Sequence, residues 1–369
     1  MNHNLLVGQS GGPTAVINGS LYGVVSEGLA NPEIDNVIGM VNGIEGFLAD
    51  HTIDMAPLKE NGELERIRTT PGSYLGSCRY KLPENLSDPV YPELFQKFTE
   101  KEISYFFYIG GNDSMDTVSK LSRYAATVGS DIRIIGVPKT IDNDINFIPH
   151  SFGFETAVDK AADAIRCAHI EAASVFNGIG IVKLMGRESG FIAANASLSM
   201  REVNFVLVPE VPFSLYGERG LFPALEKCLA RALPRRARRG GGGGAGSAFR
   251  ARNRCDASGN KALGDITGFL RAKIAEYFSA KKIPYYLKYI DPSYMIRSVP
   301  ANANDRLYCG FLGQHAVHAA MSGKTGMVVA NIMDKFVHLP LELVTRKRRT
   351  MSVRSTCGSR FWKRRGRGT

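Results

Sequence analysis

The chain has 369 residues, 44% of them apolar, and a formal net charge of +11. That apolar content can build a core in each of two domains of ordinary size, which excludes disordered and fibrous classes, and no uninterrupted apolar run reaches membrane-spanning length. The charge would suggest nucleic acid as a partner, but it is localised: eight arginines and no acid lie between Leu229 and Cys255, ten basic residues and no acid between Arg346 and Thr369, and without those 18 the remainder carries −7.

In chain order, Leu5-Leu6-Val7 predicts a first strand, too close to Met1 for a signal peptide to precede it. A glycine-rich turn and a helix follow in QSGGPTAVINGSLYGVVSEGL, then a short strand in NVIGMVNG and a loop in RTTPGSYLGSCRYK. The apolar runs ISYFFYIGG and RIIGVPKT predict two more strands, TAVDKAADAIRCAHIEAAS a helix, and GIGIVKLMG and NFVLVPE two strands flanking a helix in ESGFIAANASLSM. LPRRARRGGGGGAGSAFRARNRC breaks this rhythm. It resumes at DASGNKALGDITGFLRAKIAEYF, a turn plus an amphipathic helix, continues through YYLKYIDPSYMIRS and ends with the helix HAVHAAMSG and the strand GMVVANI. Short strands with both faces apolar, alternating with helices, predict an α/β class of parallel sheets. The expected architecture is two doubly wound Rossmann-like domains with the active site in the cleft between them. One comprises 1–150 plus about 305–340, the other 151–304. Six scattered cysteines, Cys78, Cys167, Cys228, Cys255, Cys309 and Cys357, with no CxxC pair, read as free thiols of a reducing, cytoplasmic compartment.

Ligands of open parallel sheets sit beyond the carboxyl ends of the strands, where the chain places YIGGNDSMDT and VPKTIDNDI. Gly11-Gly12 and Gly110-Gly111 allow close backbone approach and offer N–H groups to phosphate at helix starts. Carboxylates beside a phosphate site call for a reason, and magnesium supplies one, since it binds through one or two carboxylates plus phosphate oxygens. Asp113, Asp142 and Asp144 are therefore candidates for metal binding or proton abstraction. Lys139, Arg79, Arg187, Arg297 and Arg306 are candidate phosphate ligands of the kind phosphoryl transfer requires. Gly323-Lys324-Thr325 is no P-loop, because His318 stands where the first glycine is needed. His315 and His318 lack further ligands for zinc.

Together QSGGPT, PGSYLGSCR, GGNDS, PKTIDND, MGRESG and DPSYMIRS resemble the phosphofructokinase superfamily in order and spacing, over nearly the whole chain outside the two basic blocks. In detail they look like its pyrophosphate-dependent branch. The resemblance implies transfer of a phosphoryl group from pyrophosphate to the 1-hydroxyl of fructose 6-phosphate, with Mg2+ as cofactor and a homo-oligomer, dimer or tetramer, as the assembly. ATP-dependent transfer is the alternative within the family, and no membrane or specific nucleic-acid partner is expected. It implies Asp142 as catalytic base, with Lys139, Asp113 and Arg187 as further catalytic residues. Thr140, Asp142, Met185, Gly186, Arg187, Tyr294, Arg297 and Arg306 would bind the sugar phosphate. Gly12, Arg79, Gly111 and Lys139 would bind the donor, and Asn112 and Asp144 the metal.

ATP-using relatives have glycine where this chain has Asp113 and again where it has Lys139. An aspartate at the first would occupy the space of the ATP α-phosphate, and a lysine at the second would neutralise pyrophosphate. Two departures stand out. Asn112 takes the place of an aspartate, and the 229–255 block lacks the apolar strand and sugar-binding glutamate of the family. Both that block and the basic tail 346–369 read as out-of-frame translation of a GC-rich gene. A real flexible basic insert is the alternative to that reading, and a catalytically impaired member of the family is the functional alternative that goes with it.

Overall fold

The computed structural model describes residues 3–186, 188–232, 243–246 and 265–352. These fall into two compact units, one of Met1–Thr156 with Arg297–Arg349 and one built on Ala157–Ile296 with the segment from Thr350. The α/β class is as expected. The first unit takes in Arg297–Arg349, where about 305–340 was expected, and within it the helix Ala303–Met321 packs on the helix Ile17–Gly28.

The first unit is built on strands β1 (Asn4–Gln9), β2 (Val37–Met40), β3 (Thr52–Asp54), β4 (Ile103–Gly110) and β5 (Arg133–Pro138). The second unit contributes β6 (Gly178–Val182), β7 (Val203–Val206), β8 (Gly243–Gly246) and β9 (Tyr286–Ile290), and the first unit resumes with β10 (Met327–Ile332) and β11 (Lys335–Pro340). The first sheet runs β11-β10-β5-β4-β1-β2-β3, with parallel pairing from β10 through β2 and antiparallel strands at both edges. Every residue of β1 is buried, as are the last five of β4 and of β5, because helices cover both faces of such a sheet. The order reverses at β1 and β4, which makes the carboxyl ends of β1, β4 and β5 a topological switch point.

Two core clusters lie on the two faces. One joins Leu5, Val7, Ile109 and Val137 to Leu21, Val24, Leu312 and Val317 of the flanking helices. The other joins Leu6, Phe106 and Tyr108 to Tyr91, Met115, Val118 and Leu121. The helices Ile17–Gly28 and Ala303–Met321 approach through glycine: a Cβ at Gly23 would lie 2.2 Å from the Gly310 carbonyl oxygen, and one at Gly313 would lie 2.5 Å from that of Ser20. The later helix is capped by Asn302, whose Oδ1 accepts from Asp305 N at 2.8 Å. It is tied to the 153–156 turn by the buried Asp305, which accepts from Gly153 N, Thr156 N and Thr156 Oγ1 at 2.7–2.9 Å.

The second unit has a four-stranded parallel sheet, β7-β8-β6-β9. Its β8 corrects the expectation that the 229–255 block holds no strand: Gly243–Gly246 pairs with β6 in the register Ile179↔Gly243 and with β7 in the register Val203↔Gly244. The physical reason is that a ladder is made of backbone N–H and C=O groups. A Gly-Gly-Ala-Gly segment can supply these between two strands whose edges need a partner. The family glutamate is absent from the block in the sequence itself. The rest of the 229–255 block beyond Ala232, including Arg235, Arg236, Arg238 and Arg239, and the tail from Val353 lie outside the described residues.

Gly23→Ala should lower the unfolding free energy by about 2 kcal/mol, since the added methyl must push two helix backbones apart, and this exceeds the helix-propensity gain of alanine. Urea unfolding of the two proteins measures it, and equal midpoints would show that the contact can relax.

Candidate active site

The loops after β1, β4 and β5 converge at the switch point. After β1, Ser10 and Cys78 form an isolated parallel bridge, and Gly11 N donates to Cys78 O at 3.3 Å. Gly11 has φ +81, a left-handed conformation that only glycine adopts without strain. Arg79, exposed, directly follows the bridge, which puts it next to Gly11-Gly12. A buried amide network holds this arrangement. Gln9 Nε2 donates to Ile17 O and Asn18 Oδ1, Gln9 Oε1 accepts from Leu75 N at 2.9 Å and Ser73 Oγ at 3.0 Å, and Asn18 Oδ1 accepts from Tyr74 N at 2.8 Å. Sequence reasoning passed over Gln9 and Asn18. The available signal was two amides among apolar residues at the end of a buried strand and the start of its helix.

After β4, Gly110-Gly111 lead straight into the helix Asn112–Val128, with Gly111 at its N-cap. Asn112 is half-buried in the first turn and Asp113 beside it is exposed. The positive end of the helix thus faces the loop region.

After β5, Lys139 is buried at 4% exposure. Its backbone N donates to Gly110 O at 2.8 Å and its Nζ to Gly12 O at 2.8 Å, so one residue joins all three loops. Burial lowers the Lys139 ammonium to about 8; the nearby charge of Arg297 pushes the same way and Asp142 opposes it. Thr140 Oγ1 accepts from Asp142 N and donates to Asp144 Oδ1, both at 3.2 Å, which closes a tight turn around Asp142. Asn143 is left-handed, with φ +55, and its Oδ1 accepts from Ser151 N at 2.8 Å. Asp144 is buried, and burial raises its carboxyl to about 6, helped by the charge of Asp142 and opposed by Arg348.

The structure therefore brings together Gly12, Arg79, Gly111, Asn112, Asp113, Lys139, Thr140, Asp142 and Asp144. Arg297, expected at the sugar phosphate, also lies here: its guanidinium carbon is 3.7 Å from where a Cβ on Gly12 would stand. Arg306 Nη2 donates to Ala301 O at 3.0 Å, at the start of its own helix. Met185, Gly186 and Tyr294 belong to the second unit, Met185 and Gly186 in the loop after β6 and Tyr294, 82% exposed, in the helix Ser293–Arg297. Beside them, Lys183 Nζ and Asp291 Oδ2 pair at 3.2 Å at the ends of β6 and β9. Arg187 lies outside the described residues.

Two residues in this region went unassigned from sequence. Arg348 pairs with Asp113 Oδ1 and Asp144 Oδ2, each at 3.6 Å. The Arg349 backbone N donates to Asp144 O at 2.8 Å, and its guanidinium Nη1 donates to the carbonyls of Asn143, Ile148 and Pro149 at 2.9–3.2 Å. The basic run at Arg346 was set apart as foreign to the fold, yet its first residues are seated on the carboxylate loop. A backbone-anchored arginine leaves no periodic pattern in sequence.

Among the described residues no group of three or more His, Cys, Asp or Glu side chains could hold a metal. The mutual repulsion of Asp142 and the buried Asp144 fits a cation at their side.

The Phosphofructokinase family profile matches residues 4–320 of the chain. The ATP-dependent 6-phosphofructokinase of Borreliella burgdorferi is 38% identical over 338 residues, covering 89% of this chain and 72% of that protein. That of Amycolatopsis methanolica is 39% identical over 358 residues, covering 92% and 73%. Among solved structures, the pyrophosphate-dependent phosphofructokinase of Nitrosospira multiformis superposes with a TM-score of 0.77 at 26% identity, covering 96% of this chain and 88% of that one. The pyrophosphate-dependent enzyme of Marinobacter aquaeolei does so with a TM-score of 0.77 at 28% identity and the same coverage. The names of these relatives differ in the donor and agree in the family. On the extent of the profile match and the identity to these relatives, the chain belongs to the phosphofructokinase family.

Proposed function

We propose that the protein transfers a phosphoryl group reversibly from pyrophosphate to the 1-hydroxyl of fructose 6-phosphate. Membership in the phosphofructokinase family supports the sugar acceptor and the reaction type. The observation that carries the donor is Lys139, buried and bonded to Gly12 O beneath the glycine loop, with Asp113 in the first helical turn across from it. A buried ammonium here gives a small anion a countercharge in a low-dielectric site, where it counts most. Asp113 puts a carboxylate at the helix start, where a nucleotide would need room for its α-phosphate. The pyrophosphate-dependent structural neighbours support the same reading.

In this reading Arg79, Lys139 and Arg297 neutralise the donor, and the backbone of Gly11-Gly12 and Gly111 lies against it. Asp142 accepts the proton of the 1-hydroxyl as the phosphoryl group transfers, held in place by its backbone bond to Thr140 Oγ1. Asn112 and Asp144 would hold magnesium, which when bound shields the charge of the transferring phosphates. Arg187, Met185, Gly186, Tyr294 and Arg306 are the proposed ligands of the sugar phosphate, and a cytoplasmic homo-oligomer is the proposed setting. No helix among the described residues is long and apolar enough to cross a membrane.

A second reading, ATP as donor, is favoured by the names of the two relatives matched by sequence above. A coupled assay of fructose 1,6-bisphosphate formation should give turnover with pyrophosphate well above that with ATP. Turnover with ATP equal to or above it would sink the donor assignment. Asp113→Gly combined with Lys139→Gly should weaken pyrophosphate use.

Asp142→Asn should lower kcat roughly 100-fold, the scale of a positioned base, with a much smaller change in KM for either substrate. An unchanged kcat would remove Asp142 from the base role.

Lys139 also sets a pH dependence. Its folded pKa of about 8 lies below the unfolded value near 10.4, so the charged form costs stability below pH 8 and that cost disappears as pH rises through the interval. Relative to Lys139→Met, the wild type should therefore gain stability between about pH 8 and 10.4. Over the same interval its kcat/KM for pyrophosphate should fall as the ammonium is lost. Urea melts and initial rates across that range check both, and pH profiles that superimpose for the two proteins would contradict the assignment.

A further inference from the structure

Asp113 poses a physical difficulty for the pyrophosphate reading. A carboxylate that keeps a nucleotide out by bulk and charge also repels pyrophosphate, which has no nucleoside to contribute binding energy. Another group has to cancel the charge while leaving the bulk in place.

Arg348 is that group. The backbone around it is fixed independently by Arg349, whose N–H and guanidinium bind carbonyls of Asp144, Asn143, Ile148 and Pro149. From that anchor the Arg348 guanidinium spans two acids of different exposure: Nη2 is 3.6 Å from Asp113 Oδ1, on a side chain 57% exposed, and Nη1 is 3.6 Å from Asp144 Oδ2, on one 5% exposed. Its own side chain is 30% exposed. Both separations are ion-pair distances, longer than hydrogen bonds. The guanidinium is therefore held by charge without being locked into a bidentate fork on either carboxylate. It can keep its countercharge to Asp113 and still present N–H groups to a third anion in their plane.

We propose that Arg348 is a donor-specificity residue, which neutralises Asp113 and donates to an oxygen of pyrophosphate between Asp113 and Asp144. The inference rests on the pyrophosphate reading above. It gives the 346–349 segment a functional role and assigns Asp113 and Arg348 as a pair: the acid excludes the nucleotide, and the arginine makes the acid tolerable to the smaller donor. Arg348→Ala removes the guanidinium that faces Asp113 and removes a donor, so the two losses act in the same direction on pyrophosphate and neither acts on the sugar.

The test uses the full chain as wild type, Arg348→Ala, Arg348→Lys, and Arg348→Ala combined with Asp113→Asn. Titration calorimetry with pyrophosphate, in the presence and absence of magnesium, and with fructose 6-phosphate gives the binding constants. Initial rates with pyrophosphate and with ATP give KM and kcat. Arg348→Ala should raise Kd and KM for pyrophosphate at least tenfold, the scale of one lost charged hydrogen bond, with kcat within about threefold and sugar binding unchanged. Arg348→Lys should recover part of the affinity, and Asp113→Asn in the Arg348→Ala background should recover part by removing the repulsion, a coupling the double-mutant cycle reads directly. Unchanged pyrophosphate affinity in Arg348→Ala would overturn the proposal. So would a parallel loss of pyrophosphate and sugar binding with a lowered melting temperature, which marks a purely structural arginine. Failure of the underlying donor reading shows separately, as a wild type that binds and turns over ATP and ignores pyrophosphate.

Discussion

The first unit's functional end depends on a single buried ammonium. Lys139 sits at the carboxyl end of β5, its backbone N on Gly110 O and its Nζ on Gly12 O, so the loops of three neighbouring parallel strands are joined through one side chain. Taking an ammonium out of water is costly, and the depression of its pKa to about 8 records the cost. A carbonyl oxygen and the Asp142 carboxylate offset part of it, and an arriving polyanion would offset much more. The protein itself thus offsets only part of that cost.

Around that cation the charges alternate at short range. Arg297 approaches the Gly12 loop, Asp142 faces Lys139, Asp144 is buried beside Asp142, and Arg348 stands between Asp144 and Asp113. Such a set constrains protonation more than shape. Burial raises the carboxyl of Asp144 to about 6 and lowers the ammonium of Lys139 to about 8. The backbone under these charges is heavily hydrogen-bonded: the left-handed Asn143, the Thr140–Asp144 bond and the four contacts of Arg349 all fall on this loop.

The second unit follows a different economy. Its β8 runs through a Gly-Gly-Ala-Gly segment and satisfies the ladder between β6 and β7 through main-chain groups. The apolar cluster of this unit draws instead on Ile179, Ile181, Phe222, Leu225, Leu270, Ile274 and Phe278, from β6 and two helices. Backbone pairing and side-chain packing are thus supplied by different segments, and a sequence stretch without branched residues still takes a place in the sheet.

The sequence by itself determined the class of fold and the central strands of the first sheet. Runs such as ISYFFYIGG and RIIGVPKT are apolar on both faces and end in glycine or proline, a local property that burial in a parallel sheet requires, and they became β4 and β5. The phosphofructokinase motifs were legible for the same reason: glycines, acids and lysine cluster within a few residues at strand ends, so Lys139, Thr140, Asp142 and Asp144 come together by chain continuity alone. Only the tertiary structure decided what crosses long sequence separations. It brought Arg348 to Asp113 and Asp144, put the Arg297 guanidinium near Gly12, used Gln9 and Asn18 to hold the loop before Arg79, and found β8 within a stretch that composition had set aside. These contacts rest on single side chains or on main-chain groups that leave no periodicity to read, and their partners are chosen by packing, which is not a local property of any segment.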